Sequence, residues 1–453
     1  MVYTEKTIPG REENPVLGNW RFRMITALEE RFPDLPGSVL WKTELLFRGV
    51  RYTEALKQAA EEGAAPNFWP YAFRDGLKTR YIPVPYLFRV NGGAVARVRV
   101  DDRSEFFVRR KEDGRYVLCH SQREACEIDF VKAHKWQSFR TSDGASQMEA
   151  GVEQLGDMLV VNMAPGCEYF RVKDDAGQSH KCSFCAYGRF GERSTALGQV
   201  GGHVAVGTTA LKRLHEVLVA AVESGEARHV YLTGGSMLDP ALEVERFLPI
   251  VETARRAVGD RLRVTCGSGA VDPEGSRRYR DAGADSCCYN LETWDAETFR
   301  TACSGKSTFV GRERWINGLL GAVEVFGRGN VGSAFVAGIE LLPPAPGMPA
   351  QRMIESIVEG ATFLMDRGIT PLYSPLWPVD GTAYGPEDGL SPELFLRVEM
   401  EVYRLRAERN FPVPSWLICR GCSYMLLEVD FDHAFALTGA GLPDPARAAA
   451  PVN

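Results

Sequence analysis

The chain is expected to be an α/β protein: a partial (β/α)6 barrel of TIM type, with an N-terminal α+β region and a short C-terminal extension. Three observations carry that expectation. From about residue 155, apolar runs of strand length alternate six times with helix-period segments. Before residue 150 the β-rich runs are instead parted by short turns, the rhythm of an antiparallel sheet. Most residues with chemical potential lie just after the later strands, the end of a parallel barrel where active sites form.

Residues 1–150 begin with a polar arm, a helix expected around Phe22–Phe32 and another around Tyr52–Gly63. Strand-like runs follow at Ile82–Val90, Ala94–Val100, Glu105–Arg110, Arg115–His120 and Glu127–His134. Asn91-Gly92-Gly93 and Glu112-Asp113-Gly114 are turn signals between them. Residues 151–410 carry the expected barrel strands Met158–Met163, His229–Thr233, Leu262–Cys266, Ser286–Asn290, Val331–Gly338 and Pro371–Leu376. Leu211, Leu214, Val217, Leu218, Ala221 and Val222 share one helical face. Met353, Ile354, Ile357, Val358, Ala361 and Leu364 do so later, as do Phe395, Val398, Val402 and Leu405. Residues 411–453 form the extension, with Cys419-Arg420-Gly421-Cys422 and a Pro/Ala-rich end expected to be disordered.

Composition narrows the function classes. Hydrophobic residues are 45% and charged residues 25% of the 453, ordinary for a globular enzyme. A net charge of −6 lacks the basic field of a dedicated nucleic-acid binder, so no nucleic-acid partner is expected. The polar first residues, with Pro9 and Pro15, do not resemble a signal peptide. No uncharged apolar run approaches the roughly 18 residues that span a bilayer. A cytoplasmic location without membrane attachment is therefore expected. There, eleven cysteines are metal ligands and core thiols rather than disulfides.

The sharpest motif is Cys167, Cys182 and Cys185. Fourteen residues separate the first two, two separate the last two, and Phe184 precedes the last. Three thiolates without an obvious fourth partner suggest a metal centre with one open coordination position. A structural zinc site or three unrelated core cysteines would leave the same letters. Other strand ends carry Thr233-Gly234-Gly235-Ser236, Asn290-Leu291-Glu292-Thr293 and Val336-Ala337-Gly338-Ile339-Glu340. Glycines admit close backbone approach, and Asn290 and Glu292 offer acceptors suited to a vicinal diol. Turns and helix capping are the plain alternatives. Cys419 and Cys422 suit part of an auxiliary cluster, capture of a thiophilic ligand, or packing. The seven histidines show no metal-ligand spacing.

Together these strand-end motifs resemble the radical S-adenosylmethionine (SAM) superfamily, with features of its biotin synthase-like branch. The usual cluster loop there is C-x3-C-x-aromatic-C; here the second half matches and the first interval is enlarged by a polar stretch. A fourteen-residue interval is similar to that of some 7-carboxy-7-deazaguanine synthases. The resemblance implies a [4Fe–4S] cluster on Cys167, Cys182 and Cys185 whose fourth iron chelates SAM. The reduced cluster would cleave SAM to methionine and a 5′-deoxyadenosyl radical. By the same resemblance Thr233, Gly234, Gly235 and Ser236 meet the SAM amino group, with Ser236 where an acidic residue is usual. Asn290 and Glu292 meet the ribose, Arg312 (or Arg314) the carboxylate, and Gly338 and Ile339 the adenine. It further implies a small-molecule substrate and an electron donor such as flavodoxin or ferredoxin. Hydrogen abstraction leading to rearrangement or lyase chemistry is the expected reaction class; transfer of a SAM-derived carbon group or sulfur insertion is the second. Tyr289, Trp294, Tyr373 and Trp377 are candidates to line the cavity or to sit in the core.

Overall fold

The computed structural model describes residues 26–66, 82–90, 93–120, 123–164, 166–186, 206–379, 381–385 and 388–438. The N-terminal arm, residues 22–25 of the first expected helix, Asn91-Gly92 and the Pro/Ala-rich end lie outside them.

The first region has helices α1 (Thr26–Arg31), α2 (Gly37–Arg48) and α3 (Glu54–Glu61). Strands β1 (Leu87–Val90), β2 (Ala94–Arg97), β3 (Phe106–Arg110), β4 (Tyr116–His120) and β5 (Arg123–Phe130) follow. They form a sheet of order β2-β1-β5-β4-β3, antiparallel at every pairing, as the turn-punctuated runs predict. Helix α2 is absent from the sequence expectation. Ten of its residues, Val39 through Arg48, are buried, including Lys42, Thr43, Glu44 and Arg48. A helix enclosed on all sides needs no amphipathic stripe, so its sequence shows little period. Glu44 and Arg48 pair within the helix, and burial nonetheless raises the Glu44 carboxyl to about 7.

The second sheet has the order β12-β11-β10-β9-β8-β7-β6. Its six parallel strands are β7 (Met158–Ala164), β8 (His229–Gly234), β9 (Arg263–Gly267), β10 (Ser286–Cys288), β11 (Val331–Ala337) and β12 (Ile369–Pro375). Each overlaps an expected strand. One correction concerns β6 (Val152–Leu155), which the sequence expectation lacks; it pairs antiparallel with β7 and makes the sheet seven-stranded. Its Val-Glu-Gln-Leu sequence alternates buried and half-buried positions over only four residues, too short a pattern to stand out. The crossovers are α4 (Thr208–Glu223), α5 (Pro240–Val258), α6 (Pro273–Asp281), α7 (Ala296–Ala302), α8 (Arg312–Phe326) and α9 (Ala350–Asp366); α10 (Pro392–Glu408) and α11 (Glu428–Thr438) follow β12. Asp239, Asp272 and Ser391 cap α5, α6 and α10 at N-termini that each begin with proline, fixing where these helices start.

The strands' period of two separates two cores. Leu159, Val161, Val230, Leu232, Cys287, Phe335 and Tyr373 face the large core shared with the helices. The alternate residues Met158, Val160, Tyr231, Cys288, Ala334 and Leu372 face the other side. There they pack against Trp416, Leu417, Ile418 and Cys422 of the C-terminal extension. Gly332 lets this happen: a β-carbon on it would lie 3.2 Å from the Trp416 ring and from Cys288 Sγ. Buried Lys42 of α2 holds the same segment, donating to the carbonyls of Ser423 (2.6 Å) and Leu426 (2.8 Å) and pairing with Asp430. None of the eleven cysteines is in a disulfide. Among the described residues no helix is long and apolar enough to cross a membrane.

Candidate metal and cofactor site

Cys167 stands just beyond β7 and opens a single 3-10 turn, Glu168–Phe170. The enlarged interval that follows is an ordered polar excursion. Asp174 Oδ1 accepts from the backbone N–H groups of Ala176 (3.0 Å) and Gln178 (2.8 Å), and Lys173 bridges Ser179. Residues 173–178 are exposed, so the insertion leaves the loop's base undisturbed. The base is pinned elsewhere: the His180 carbonyl accepts from Gly305 N–H (2.8 Å), and Tyr169 stacks on Phe309. Buried Cys182 and half-buried Cys185 lie on one turn closed by a Cys185 N–H to Cys182 carbonyl bond of 3.0 Å. Between them, Ser183 N–H donates to the Ala302 carbonyl (2.8 Å). Phe184 is partly buried against the large core.

The end of β8 is locked to this loop. Glu168 N–H donates to the Ser236 carbonyl (2.9 Å), and Leu238 N–H to Glu168 Oε2 (2.7 Å). A β-carbon on Gly235 would fall 2.5 Å from Cys167 N and from Gly166 C and O. Gly235 is thus where the backbone of one strand end touches the first cysteine. Two α5 residues complete the lock. Arg246 donates to the Gly235 carbonyl, and Glu243 accepts from Met237 N–H (2.9 Å) and Gly269 N–H (2.6 Å). Alanine at Gly235 is expected to cost about 1–3 kcal/mol, because the obstructing atoms are backbone. It should also lower iron content after reconstitution. Urea midpoints and iron assays check this; unchanged values of both would contradict it.

At the end of β10, Asn290 and Glu292 are drawn together by a residue absent from the sequence expectation. Buried Lys306 donates to the Asn290 carbonyl (2.5 Å) and to Glu292 Oε1 (2.6 Å), and lies over the Trp315 ring. Burial is the largest influence and works against its charge, but Glu292 together with the Cys182 and Cys303 sulfurs outweighs it and holds the ammonium above its ordinary range. Asn290 Oδ1 accepts from Ala334 N–H (3.2 Å), which fastens β10 to β11. Glu292 adopts φ 75°, a left-handed conformation unusual for glutamate, yet its backbone still bonds Ala334 and Val336. β10 ends at Cys288, two residues before the expected Asn290. Arg312 is placed otherwise than its expected role implies: Nη2 donates to the Trp294 carbonyl (2.7 Å), with the guanidinium over the Trp294 ring.

Gly338 ends β11 at φ 104°, where a side chain would be strained and would meet Leu390. Ile339 is buried, and Glu340 binds back: Thr293 Oγ1 donates to its Oε1 (2.8 Å) and Gly338 N–H to its Oε2 (3.2 Å). Burial raises the Glu340 carboxyl to about 7, against the pull of these donors. The native state then holds a proton that the unfolded chain releases near 4.5. The neutral acid's advantage is complete below pH 4.5 and lost as pH rises through about 7. Glu340→Gln should remove about 3 kcal/mol of that pH dependence. Urea unfolding of both proteins across about pH 5–8 measures it; parallel curves would contradict it.

Two of the four aromatic candidates belong to the core: Tyr289 and Tyr373 are buried on the helix side of the sheet. Trp294 packs on Phe363, and Trp377 lies beneath Arg97 and Arg99 of the N-terminal region. The structure thus brings Cys167 to Gly235 and Ser236, and Asn290 to Glu292, around the C-terminal ends of the strands. Glu243, Arg246 and Lys306 are absent from the sequence expectation, as is the place of Cys303 beside Cys182. A signal existed for Glu243 and Arg246: both precede core residues of α5 by four positions, Phe247 and Ile250. Lys306 offers none.

The donor set fits an iron–sulfur cluster. Burial, with the Cys182 thiol beside it, pushes the Cys167 thiol up to about 11, while backbone N–H groups of Tyr169 and Ser236 support its thiolate. A cationic centre would favour the ionised sulfur there.

No family model matches the chain. In sequence it is similar to a bacteriochlorophyllide c C-7(1)-hydroxylase of Chlorobaculum limnaeum, 22% identical over 261 residues, which are 55% of this chain and 60% of the relative. The chain thus matches 60% of the length of that curated relative. Among solved structures it is similar to a methylornithine synthase, at 18% identity over 55% of this chain and 62% of that one, TM-score 0.37. It is also similar to a radical SAM methyltransferase from Sphaerobacter thermophilus, at 15% identity over 86% of this chain and 93% of that one, TM-score 0.38.

Proposed function

We propose that this chain is a radical SAM enzyme that holds a [4Fe–4S] cluster on Cys167, Cys182 and Cys185 and starts radical chemistry on a small metabolite. The observation that carries the reading is the seating of Cys167 at the end of β7, in backbone contact with Gly235 at the end of β8. We read the sheet as a partial barrel, a reading supported by its six parallel strands following sequence order. When bound and reduced, the cluster supplies the electron that cleaves SAM into methionine and a 5′-deoxyadenosyl radical.

The chain's own residues hold and orient. Thr233 to Ser236 present a close backbone edge to the amino group of SAM, kept in place by Arg246 and Glu243. Glu292, fixed by Lys306, faces the ribose with Asn290. Gly338 and Ile339 provide an apolar edge for adenine. The SAM carboxylate is assigned to Arg312, whose guanidinium holds the Trp294 carbonyl, or to Arg314. The Trp416–Cys422 segment fills the sheet's inner side and helps exclude water, which radical chemistry requires. Hydrogen abstraction from a small polar metabolite is the reaction class, with a flavodoxin- or ferredoxin-type donor as reductant.

Anaerobically reconstituted protein, reduced with dithionite and given SAM, should form 5′-deoxyadenosine and methionine, detected by mass spectrometry. A protein with a full, reduced cluster that forms neither would overturn the reading.

A further inference from the structure

Cys419 and Cys422 do not stand alone. A ring nitrogen of His229 and the two Sγ atoms all lie within 4.8 Å of one another, the one such His/Cys/Asp/Glu convergence among the described residues. His229 is 190 residues from Cys419 in sequence, so no spacing motif reveals it. It is 6% exposed, and its Nε2 makes no hydrogen bond among the described residues. A buried imidazole with no hydrogen bond at that nitrogen, beside two thiols, is placed as a metal ligand would be.

The surroundings are built for close approach. A β-carbon on Gly156 would lie 1.9 Å from the Gly421 carbonyl oxygen, and one on Gly421 would lie 2.3 Å from Asp157 Oδ2. Two glycines therefore let the Cys-x2-Cys turn press against the β6–β7 turn. The sulfurs are 3.4 Å apart, and Cys419 N–H donates to Cys422 Sγ at 3.0 Å, a bond that supports a thiolate. Zinc bonded tetrahedrally to two sulfurs at ~2.3 Å would set them about 3.7 Å apart, close to what is seen. A disulfide would need ~2.05 Å.

We propose that His229, Cys419 and Cys422 bind a structural zinc ion, with Asp157 or water in the fourth position. Asp157 Oδ2 is 3.1 Å from Cys419 Sγ, and Arg228 lies 3.7 Å from the same carboxylate oxygen. A nitrogen–sulfur set converging on one point suits a single borderline-soft ion better than an iron–sulfur cube. The site lies at the start of β8, whereas Gly234 ends it, so some 15 Å of strand separates it from Cys167. Its role is to staple the C-terminal extension to the strand starts, where Trp416, Leu417 and Ile418 cover the sheet's inner face. The inference does not depend on the radical SAM reading.

The test is metal analysis of full-length protein purified from zinc-supplemented cells and washed with a weak chelator. Wild type and Cys167→Ala/Cys182→Ala/Cys185→Ala should each carry about one zinc per chain. His229→Gln and Cys419→Ser/Cys422→Ser should fall at least tenfold. Wild type without zinc, zinc unchanged in His229→Gln, iron in zinc's place, or a Cys419–Cys422 disulfide found by mass spectrometry would each overturn the proposal. If the variants fail to fold, Co2+ added to chelator-stripped wild type is decisive. Thiolate charge-transfer and tetrahedral d–d bands support the site; their absence overturns it.

Discussion

Cys167→Ala is expected to leave the protein folded but without a cluster: reconstituted iron should drop from about four per chain to background. Reductive cleavage of SAM should fall by at least about three orders of magnitude, since no electron reaches it. Cys167 is the cleanest of the three to change. Cys303 neighbours Cys182 and offers a substitute thiol, whereas Cys182 is the thiol recorded beside Cys167. The alanine removes one half-buried sulfur and leaves the Glu168–Ser236 and Gly235 contacts, which are made by backbone. Iron analysis with circular dichroism checks the claim. Full iron content in the folded variant would contradict it.

The second large effect is expected at Lys306. Lys306→Met removes the cation that neutralises Glu292 and satisfies the Asn290 carbonyl in a site where both side chains are under 15% exposed. Breaking a buried pair by deleting one partner costs about 3–5 kcal/mol, because the surviving charge stays buried. Lys306→Met/Glu292→Gln should recover part of that loss, since the stranded carboxylate is gone. Denaturant unfolding of the two single variants and the double one measures the coupling. A Lys306→Met cost below about 1 kcal/mol would mean that the pair is solvated.

The parallel strands were legible because strands buried on both faces are short apolar runs, and Met158–Met163 or Val331–Gly338 are such runs. The candidate site residues were chosen by position, since active sites of parallel barrels form at the strands' C-terminal ends. Two kinds of feature were not. The first is the element whose pattern is too uniform or too short: α2 is enclosed all round and β6 is four residues long. The second is the partner brought from far along the chain. Lys306 reaches back to Asn290 and Glu292 across a helix, and His229 meets Cys419 only because β8 begins beside the β6–β7 turn. Arg312 shows the converse: its position in sequence suggested a ligand role, while its atoms hold the Trp294 carbonyl.

The central claim is that the three-cysteine loop carries a cluster with one iron free for SAM. Electron paramagnetic resonance of the dithionite-reduced protein, with and without SAM labelled with 15N at the amino group, tests it most directly. The account predicts a [4Fe–4S]+ signal that changes shape on SAM addition and shows hyperfine coupling to the labelled nitrogen. A reduced cluster whose spectrum is identical with and without SAM, and without nitrogen coupling, would contradict it.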